Sequence, residues 1–423
     1  MKVSVLGAAG EVGRSAFMVE SGPTRALLDY GVMFGRRGDP PQYPTHVKPR
    51  DIAGAVISHA HLDHSGNVPA LFAGGGNGLG VHATRPTMEL SRLLIEDMIK
   101  IEKGRHEYDL PEVNAMMKSA THRRFGEPFG IGDLRVELRE SGHVVGGSTV
   151  LVEADGKRLF YTGDVNVRGS RMLREADLDV GDVDLLITES TYALKDQAPR
   201  KESEAGLLEF ANEVMDRKGI LFIPSFSVER SQEIACVLRN ANFGHRVIMD
   251  GMALKVNKII MDNTDYLRDP KVFEDAAGHA ISIRSHEDRK RNLEGPCVVI
   301  SPAGMLVGGN AVFYLQEIAF DDRNGIALVS YQGEGTPGRK LLETGKVQVR
   351  GGQRAAAAQV KKFEFSGHSG RSDLFEMVRR IRGNPKVVTV HGDPESCETF
   401  AREIHEKFGL DAHAAVANET VTV

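Results

Sequence analysis

The chain has 423 residues, more than one hydrophobic core usually holds, and its length therefore predicts two domains. Hydrophobic residues make up 41% and charged residues 26%, as in ordinary globular proteins, and no apolar run is long enough to span a membrane. Three scattered cysteines exclude a disulfide framework, and no signal-peptide pattern is present, so we expect a cytoplasmic protein without membrane contact. The net charge of −5 is atypical of a general nucleic-acid binder, although bound divalent metals would add positive charge where phosphates sit.

The sequence pattern of the amino-terminal segment is similar to that of a dinucleotide-binding site. A predicted strand at residues 1–6 leads into the glycine-rich residues 7–13, as in such sites. Only seven residues separate Gly13 from the turn at residues 21–24, which is too short for a crossover helix. We therefore favour a hairpin with strands at residues 17–20 and 25–29, and keep nicotinamide binding as the alternative.

The next segment concentrates histidines and carboxylates at the exit from a predicted strand. Residues 55–57 predict a buried strand, and a run of four polar residues follows within a few positions: His59, His61, Asp63 and His64. In a core each of these groups would need its own polar partner, whereas imidazole and carboxylate are ligands that suit zinc. The first two histidines would face one metal and the last two residues a second. The alternative is a coincidental polar surface loop.

The rest of the chain alternates loops, helices and strands. Residues 35–49 predict a loop, which either borders a site or is an ordinary surface loop, and residues 74–78 predict a glycine turn. Helical patterns cover residues 85–103 and 111–122. Towards the carboxyl terminus the patterns predict a helix at residues 371–382, a strand at residues 386–390 and a helix at residues 394–408.

Three further polar residues follow predicted strands. His143 lies among glycines between two strands, Asp164 ends one apolar strand and Glu189 ends another. Alone, each would be interpreted as an ordinary turn or strand-end residue. Their recurrence at strand ends, where α/β proteins commonly place their sites, favours one shared site.

In their order along the chain, the HxHxDH run at residues 59–64, Gly-His143 and Gly-Asp164 resemble the motifs of the metallo-β-lactamase superfamily. Past Glu189 the chain resembles the β-CASP nuclease branch and is similar to compact prokaryotic ribonucleases akin to the polyadenylation cleavage factor and to RNase J. The matching segments are residues 223–233, 301–306, 331–336, 365–370 and 390–393. The resemblance implies an α/β fold, a four-layer αββα sandwich of residues 1–190 and 361–423, with an α/β β-CASP domain inserted at residues 191–360. Because the chain begins with the first sandwich strand, we expect no KH domains in front.

The resemblance also implies a role for each matching residue. One zinc ion would be held by His59, His61 and His143, a second by Asp63, His64 and His391, and Asp164 would bridge the two. The candidate catalytic residues are Asp63, His368 and Glu189, with His368 as general acid and Glu189 as its orienting partner. The candidate substrate-binding residues are Ser225, Arg230, Gly304, Met305, Ser366 and Gly367. Residues 301–304 depart from the shorter Ser-Gly of many relatives, and the alternative role for His368 is to cap a helix that begins at residue 371.

Seven ligands with one shared carboxylate suit two metals roughly 3.5–4 Å apart, which activate water as hydroxide for attack at phosphorus. We therefore expect a two-zinc ribonuclease that acts on single-stranded RNA as an endonuclease, a 5′–3′ exonuclease or both, as a homodimer or in an RNA-processing complex. Three alternatives stay open at this point. They are a DNA-processing nuclease of the same branch, a small-molecule metallohydrolase, which needs no second domain, and an inactive RNA-processing subunit, which is disfavoured because no ligand is missing.

Overall fold

The computed structural model describes residues 1–35, 39–73, 78–102, 104–349 and 351–423. Part of the predicted loop at 35–49, most of the predicted glycine turn at 74–78 and residue 103, the predicted end of a helix, lie outside the described residues. Among the residues that are described, no helix combines the length and the apolar content that crossing a bilayer requires.

Strands and helices alternate along the described part of the chain. The strands are β1 (Lys2–Val5), β2 (Ala16–Ser21), β3 (Thr24–Tyr30), β4 (Gly54–Val56), β5 (Gly80–Ala83), β6 (Ala120–His122), β7 (Phe129–Ile131), β8 (Leu134–Glu140), β9 (Ser148–Ala154), β10 (Lys157–Tyr161), β11 (Leu185–Glu189), β12 (Ile220–Pro224), β13 (Val247–Met249), β14 (Ile281–Ser282), β15 (Cys297–Ser301), β16 (Gly325–Leu328), β17 (Lys346–Val349), β18 (Gly352–Ala355), β19 (Gln359–Lys362), β20 (Lys386–Val390), β21 (Ala412–Ala414) and β22 (Thr420–Thr422). The α-helices are α1 (Leu62–Ser65), α2 (Arg85–Glu102), α3 (Leu110–Lys118), α4 (Arg200–Asp216), α5 (Arg230–Asn240), α6 (Met252–Met261), α7 (Pro270–His279), α8 (His286–Asn292), α9 (Gly309–Ile318), α10 (Pro337–Thr344), α11 (Arg371–Arg380) and α12 (Pro394–Phe408).

The chain divides into two compact units. Unit 1 comprises Met1–Gly169, Arg174–Asp196 and His368–Val423. Unit 2 comprises Ser170–Leu173 and Gln197–Gly367. The domain limits expected from the resemblance, 1–190 with 361–423 and 191–360, stay predictions.

Unit 1 is a sandwich of two seven-stranded sheets between helices. The strand orders are β22-β1-β2-β3-β4-β5-β6 and β21-β20-β11-β10-β9-β8-β7. Side chains of one face of each sheet, such as Phe17 from β2 and Ile187 from β11, form the core between the sheets, and burying each contributes about 1.5–3 kcal/mol. Helices α2 and α3 cover the outer face of the first sheet, and α11 and α12 cover that of the second. This arrangement confirms the predicted four-layer αββα sandwich.

Two predictions about the first sheet had different outcomes. Strands β2 and β3 pair antiparallel, which confirms the hairpin, and the described residues between β1 and β2 contain no crossover helix, which excludes the dinucleotide-binding alternative. The prediction of a helix at residues 111–122 was wrong for its last residues, because Ala120–His122 form β6 beside β5. Pairing with a sheet edge outweighs the helical preference of a short segment.

Unit 2 contains a six-stranded parallel sheet. Its strand order is β14-β13-β15-β12-β16-β19, and every pairing is parallel. Apolar residues of β12, β15 and β16, among them Phe222, Val299 and Ile326, pack with Tyr314 and Ile318 of α9. Parallel strands buried by helices are the α/β architecture predicted for the inserted domain.

Candidate metal centre

Three adjacent parallel strands of unit 1 end next to the polar residues that the sequence singled out. β10 pairs with β11 and β11 with β20, so their carboxyl ends lie at one sheet edge. Asp164 follows β10, Glu189 ends β11 and His391 follows β20. The loop after β4 and the short helix α1 supply the HxHxDH residues, and the loop between β8 and β9 supplies His143. The fold therefore brings the seven predicted metal ligands together.

The first ligand group consists of His59, His61, His143 and Asp164. The Nδ1 atom of His61 lies 3.1 Å from the Nε2 atoms of both His59 and His143. The Oδ2 atom of Asp164 lies 3.4 Å from Nε2 of His59 and 3.5 Å from Nε2 of His143. A tetrahedral zinc ion with bonds of about 2.1 Å separates its ligand atoms by about 3.4 Å, so these four side chains fit one ion.

The second ligand group consists of Asp63, His64 and His391. The Nε2 atom of His391 lies 3.3 Å from Nε2 of His64 and 3.3 Å from Oδ2 of Asp63. The Oδ1 atom of Asp164 lies 3.3 Å from Nε2 of His64, while its Oδ2 atom faces the first group. The two groups contain the residues that the resemblance assigns to each metal, and Asp164, only 3% exposed, is placed to serve both.

Burial and neighbouring charges shift the pKa values of the buried ligands in different directions. Burial lowers the pKa of His59 well below its usual range. Burial acts against ionisation of Asp164, but His391 and His64 outweigh it and hold the pKa of that carboxyl well below its usual range. His59 and Asp164 thus have the forms that bind a metal, a neutral imidazole and an ionised carboxylate. Burial disfavours the charged ring of His64, but Asp164 and Asp29 outweigh it and raise the pKa of His64 well above its usual range, so metal binding there would release a proton.

Asp29, at the end of β3, is a residue of the site that the sequence reasoning missed. It accepts hydrogen bonds from the Ser58 hydroxyl at 2.6 Å, Tyr161 Oη at 2.7 Å and His64 Nδ1 at 2.7 Å. Because a carboxylate only accepts, His64 carries its hydrogen on Nδ1 and keeps Nε2 for a metal. The Ser58 hydroxyl, already donated to Asp29, accepts from Nδ1 of His59 at 3.1 Å. The available signal was a carboxylate directly after the apolar residues 26–28 of β3.

His368 and Glu189 form a pair beside the metal ligands. Nδ1 of His368 lies 2.9 Å and 3.1 Å from the two oxygens of Glu189, and one of these oxygens also accepts from the Val165 amide at 2.7 Å. Glu189 is also within metal-binding reach of Asp164 and His391, but these hydrogen bonds engage both of its oxygens. The ring of His368 lies 4.6 Å from that of His143, centroid to centroid. His368 therefore adjoins the first ligand group.

The structure bears on the charge of His368 and on its alternative role as a helix cap. Burial disfavours the charged ring, but the carboxylates of Glu189 and Asp164 outweigh it and raise the pKa of His368 to about 9. The N-cap of α11 is Gly370, and no side chain caps this helix. The helix-capping alternative therefore has no support in the structure.

The six predicted substrate-binding residues all lie in unit 2. Ser225 is buried with its hydroxyl bonded to a neighbouring serine, and Arg230, the first residue of α5, is buried too. Gly304 is packed so tightly that a Cβ there would lie 2.7 Å from the nearest hydroxyl oxygen. Met305 and residues 366–367 are half-buried. Contact of these residues with RNA stays a prediction.

Comparison with known domains assigns most of the chain. Residues 24–218 match the Beta-lactamase superfamily domain, and residues 231–341 match the Beta-Casp domain. Residues 355–415 match the Zn-dependent metallo-hydrolase RNA specificity domain. These matches follow the order in which the sequence motifs were found.

Whole proteins are similar over nearly the full chain. RNase aCSPSF2 of Saccharolobus solfataricus is 34% identical over 97% of this chain and 82% of its own length. Probable RNase MJ4 of Methanocaldococcus jannaschii is 31% identical over 100% of both chains. Transcription termination factor FttA of the same organism is 32% identical over 100% of this chain and 72% of its own length.

A solved structure shares the fold. A protein of unknown function from Enterococcus faecalis superposes with a TM-score of 0.63 over 100% of this chain and 99% of its own, at 13% identity. At that identity the likeness concerns the fold alone. The domain matches and the relatives confirm the resemblance found in the sequence, and the chain belongs to the β-CASP ribonuclease branch of the metallo-β-lactamase superfamily.

Proposed function

We propose that this chain is a zinc-dependent ribonuclease that hydrolyses phosphodiester bonds in single-stranded RNA. The observation that carries the proposal is the ligand arrangement around Asp164, whose two carboxylate oxygens face two separate groups of imidazole and carboxylate ligands. The match to an RNA specificity domain and the relatives named as RNases support RNA as the substrate. The proposal includes two zinc ions, a cytoplasmic location, and action as a homodimer or in an RNA-processing complex.

The ligand types and their spacing favour zinc over magnesium, because imidazole nitrogens make up five of the seven ligands. When bound, two zinc ions would supply a water-derived nucleophile at neutral pH and offset the negative charge of the phosphate. The chain's own contribution is to hold the imidazoles in one tautomer. Asp29 does so for His64 directly and for His59 through the Ser58 hydroxyl.

His368 is placed to hold the proton that the leaving group requires. Its Nδ1–H donates to Glu189, so Nε2, which lies 3.9 Å from Oδ2 of Asp164, is the nitrogen on the side of the ligand groups. Cleavage of the phosphodiester releases a ribose oxygen that leaves poorly as an alkoxide. Donation of the Nε2 proton to that oxygen makes the step feasible, with Glu189 keeping the ring oriented.

The alternatives are less well supported. A small-molecule metallohydrolase needs only the sandwich domain, whereas residues 231–341 match the Beta-Casp domain. A DNA-processing nuclease would use the same centre, and the match of residues 355–415 to an RNA specificity domain favours RNA over DNA.

Labelled nucleic acid tests the substrate class and the mode of cutting. The purified chain should cleave single-stranded RNA labelled at its 5′ or 3′ end, a chelator should abolish cleavage, and added zinc should restore it. Release of the 5′ label as a mononucleotide indicates 5′–3′ exonuclease action, and labelled fragments of intermediate length from both labels indicate endonuclease action. Cleavage of the DNA of the same sequence with the RNA left intact would replace the proposal by the DNA-nuclease alternative.

A further inference from the structure

A threonine hydroxyl outside the predicted site makes two contacts with one metal-ligand histidine. Oγ1 of Thr191 lies 3.1 Å from the carbonyl oxygen of His391 and 3.2 Å from its ring Nδ1. Thr191 follows β11 and His391 follows β20, and the pairing of Glu189 with Val390 at the ends of these strands brings the two residues side by side. The contact therefore arises from the sheet itself.

The hydrogens of these two bonds can be assigned from chemistry alone. A carbonyl oxygen only accepts, so the Thr191 hydroxyl donates its hydrogen to the backbone of His391. The remaining lone pairs of Oγ1 then accept from Nδ1–H of the ring. Nδ1 also lies 3.4 Å from Oδ1 of Asp164, but this oxygen is not hydrogen-bonded to it, so Thr191 Oγ1 is the hydrogen-bond partner of Nδ1. Nε2 is thereby left without a hydrogen, and it is the atom that faces Asp63 and His64.

The backbone of His391 also needs support. Its φ is +49°, a region that residues with side chains rarely adopt. Its amide donates to the carbonyl of Ala8 at 2.9 Å, and its carbonyl accepts from the amide of Ser190 at 3.2 Å as well as from Thr191. Thr191 thus holds both the ring and the backbone of this ligand.

We propose that Thr191 is a positioning residue that sets the tautomer of His391 for the second metal position. The inference rests on the proposed two-zinc function. The two histidines of the second group are then held by different partners, a carboxylate for His64 and a neutral hydroxyl for His391. Loss of such a partner typically lowers metal affinity about 10–100-fold.

A zinc-binding titration tests this role. Zinc is added to metal-stripped protein in the absence of RNA, and a chromophoric chelator that competes for zinc reports the affinity of each site. Thr191→Val keeps the side-chain shape and removes the hydroxyl, and Thr191→Ser keeps the hydroxyl as the matched control. In Thr191→Val the Kd of the second ion should rise about 10–100-fold while the first ion binds as in wild type. Thr191→Ser should stay close to wild type, and the melting temperatures of the stripped proteins should agree.

Three results would overturn the inference. They are wild-type affinity for both ions in Thr191→Val, an equal loss in Thr191→Ser, and equal weakening of both ions in Thr191→Val.

If Thr191→Val fails to fold, nitrogen-15 NMR of zinc-loaded wild type decides, with the His391 signal identified by its loss in His391→Gln. A hydrogen on Nδ1 supports the role, and one on Nε2 overturns it. Wild-type protein that never binds a second ion would overturn both this inference and the two-zinc proposal, whereas the results above leave the latter intact.

Discussion

Replacing Asp164 with alanine should take the zinc content from about two ions per chain towards none and abolish RNA cleavage. The physical reason is that its two carboxylate oxygens face different ligand groups, at 3.4 Å from His59 Nε2 and at 3.3 Å from His64 Nε2. The substitution also leaves the three imidazoles of the first group without a carboxylate ligand. Elemental analysis of the purified variant, with activity on labelled RNA, measures both effects.

His391→Ala is the matched control, because His391 belongs only to the second group. This variant should chiefly weaken the second ion and retain the first. Complete and equal metal loss in both variants would contradict the assignment of ligands to two groups. Retention of both ions by Asp164→Ala would contradict the bridging role.

Replacing His368 with alanine should lower turnover about 10²–10⁴-fold, the usual cost of removing a general acid. The variant should keep its zinc and much of its affinity for RNA, because His368 binds Glu189 through Nδ1 and belongs to neither ligand group. Single-turnover cleavage of labelled RNA, together with zinc analysis and an RNA-binding assay on the same preparation, separates the three quantities.

Glu189→Gln provides the comparison for His368→Ala. It should lose less turnover, since an amide oxygen still accepts from Nδ1 of His368 and preserves part of the orientation. Near-normal turnover in His368→Ala with a lowered melting temperature would instead indicate a purely structural histidine. Loss of zinc in His368→Ala would show that this residue supports the metal centre and not the proton transfer.

The sequence predicted those features whose signal lies within a short segment. The HxHxDH run, the apolar strands that precede Asp164 and Glu189, and the hairpin of β2 and β3 are all local patterns. The limits of β20 and α12 coincide with the predicted residues 386–390 and 394–408, because apolar periodicity and Pro394 mark them. The sandwich followed from the resemblance, which the domain matches confirm.

The features that the sequence did not predict depend on contacts between residues far apart in the chain. Asp29 was predicted only as the last residue of the hairpin strand at residues 25–29, since its hydrogen bonds with Ser58, Tyr161 and His64 join separate segments of the chain. Thr191 gave no signal of its own, because its partner His391 lies 200 positions further along the chain. The short strand β6 was taken for helix because only the neighbouring strand β5 makes it extended.

A zinc titration tests the proposal of a two-zinc ribonuclease most directly. Zinc is added stepwise to metal-stripped protein, and cleavage of labelled single-stranded RNA is measured at each step. Activity should be absent in the stripped protein and should rise to its full value only as the second equivalent of zinc binds. Full cleavage by the stripped protein in excess chelator, or a plateau at one equivalent, would contradict the account.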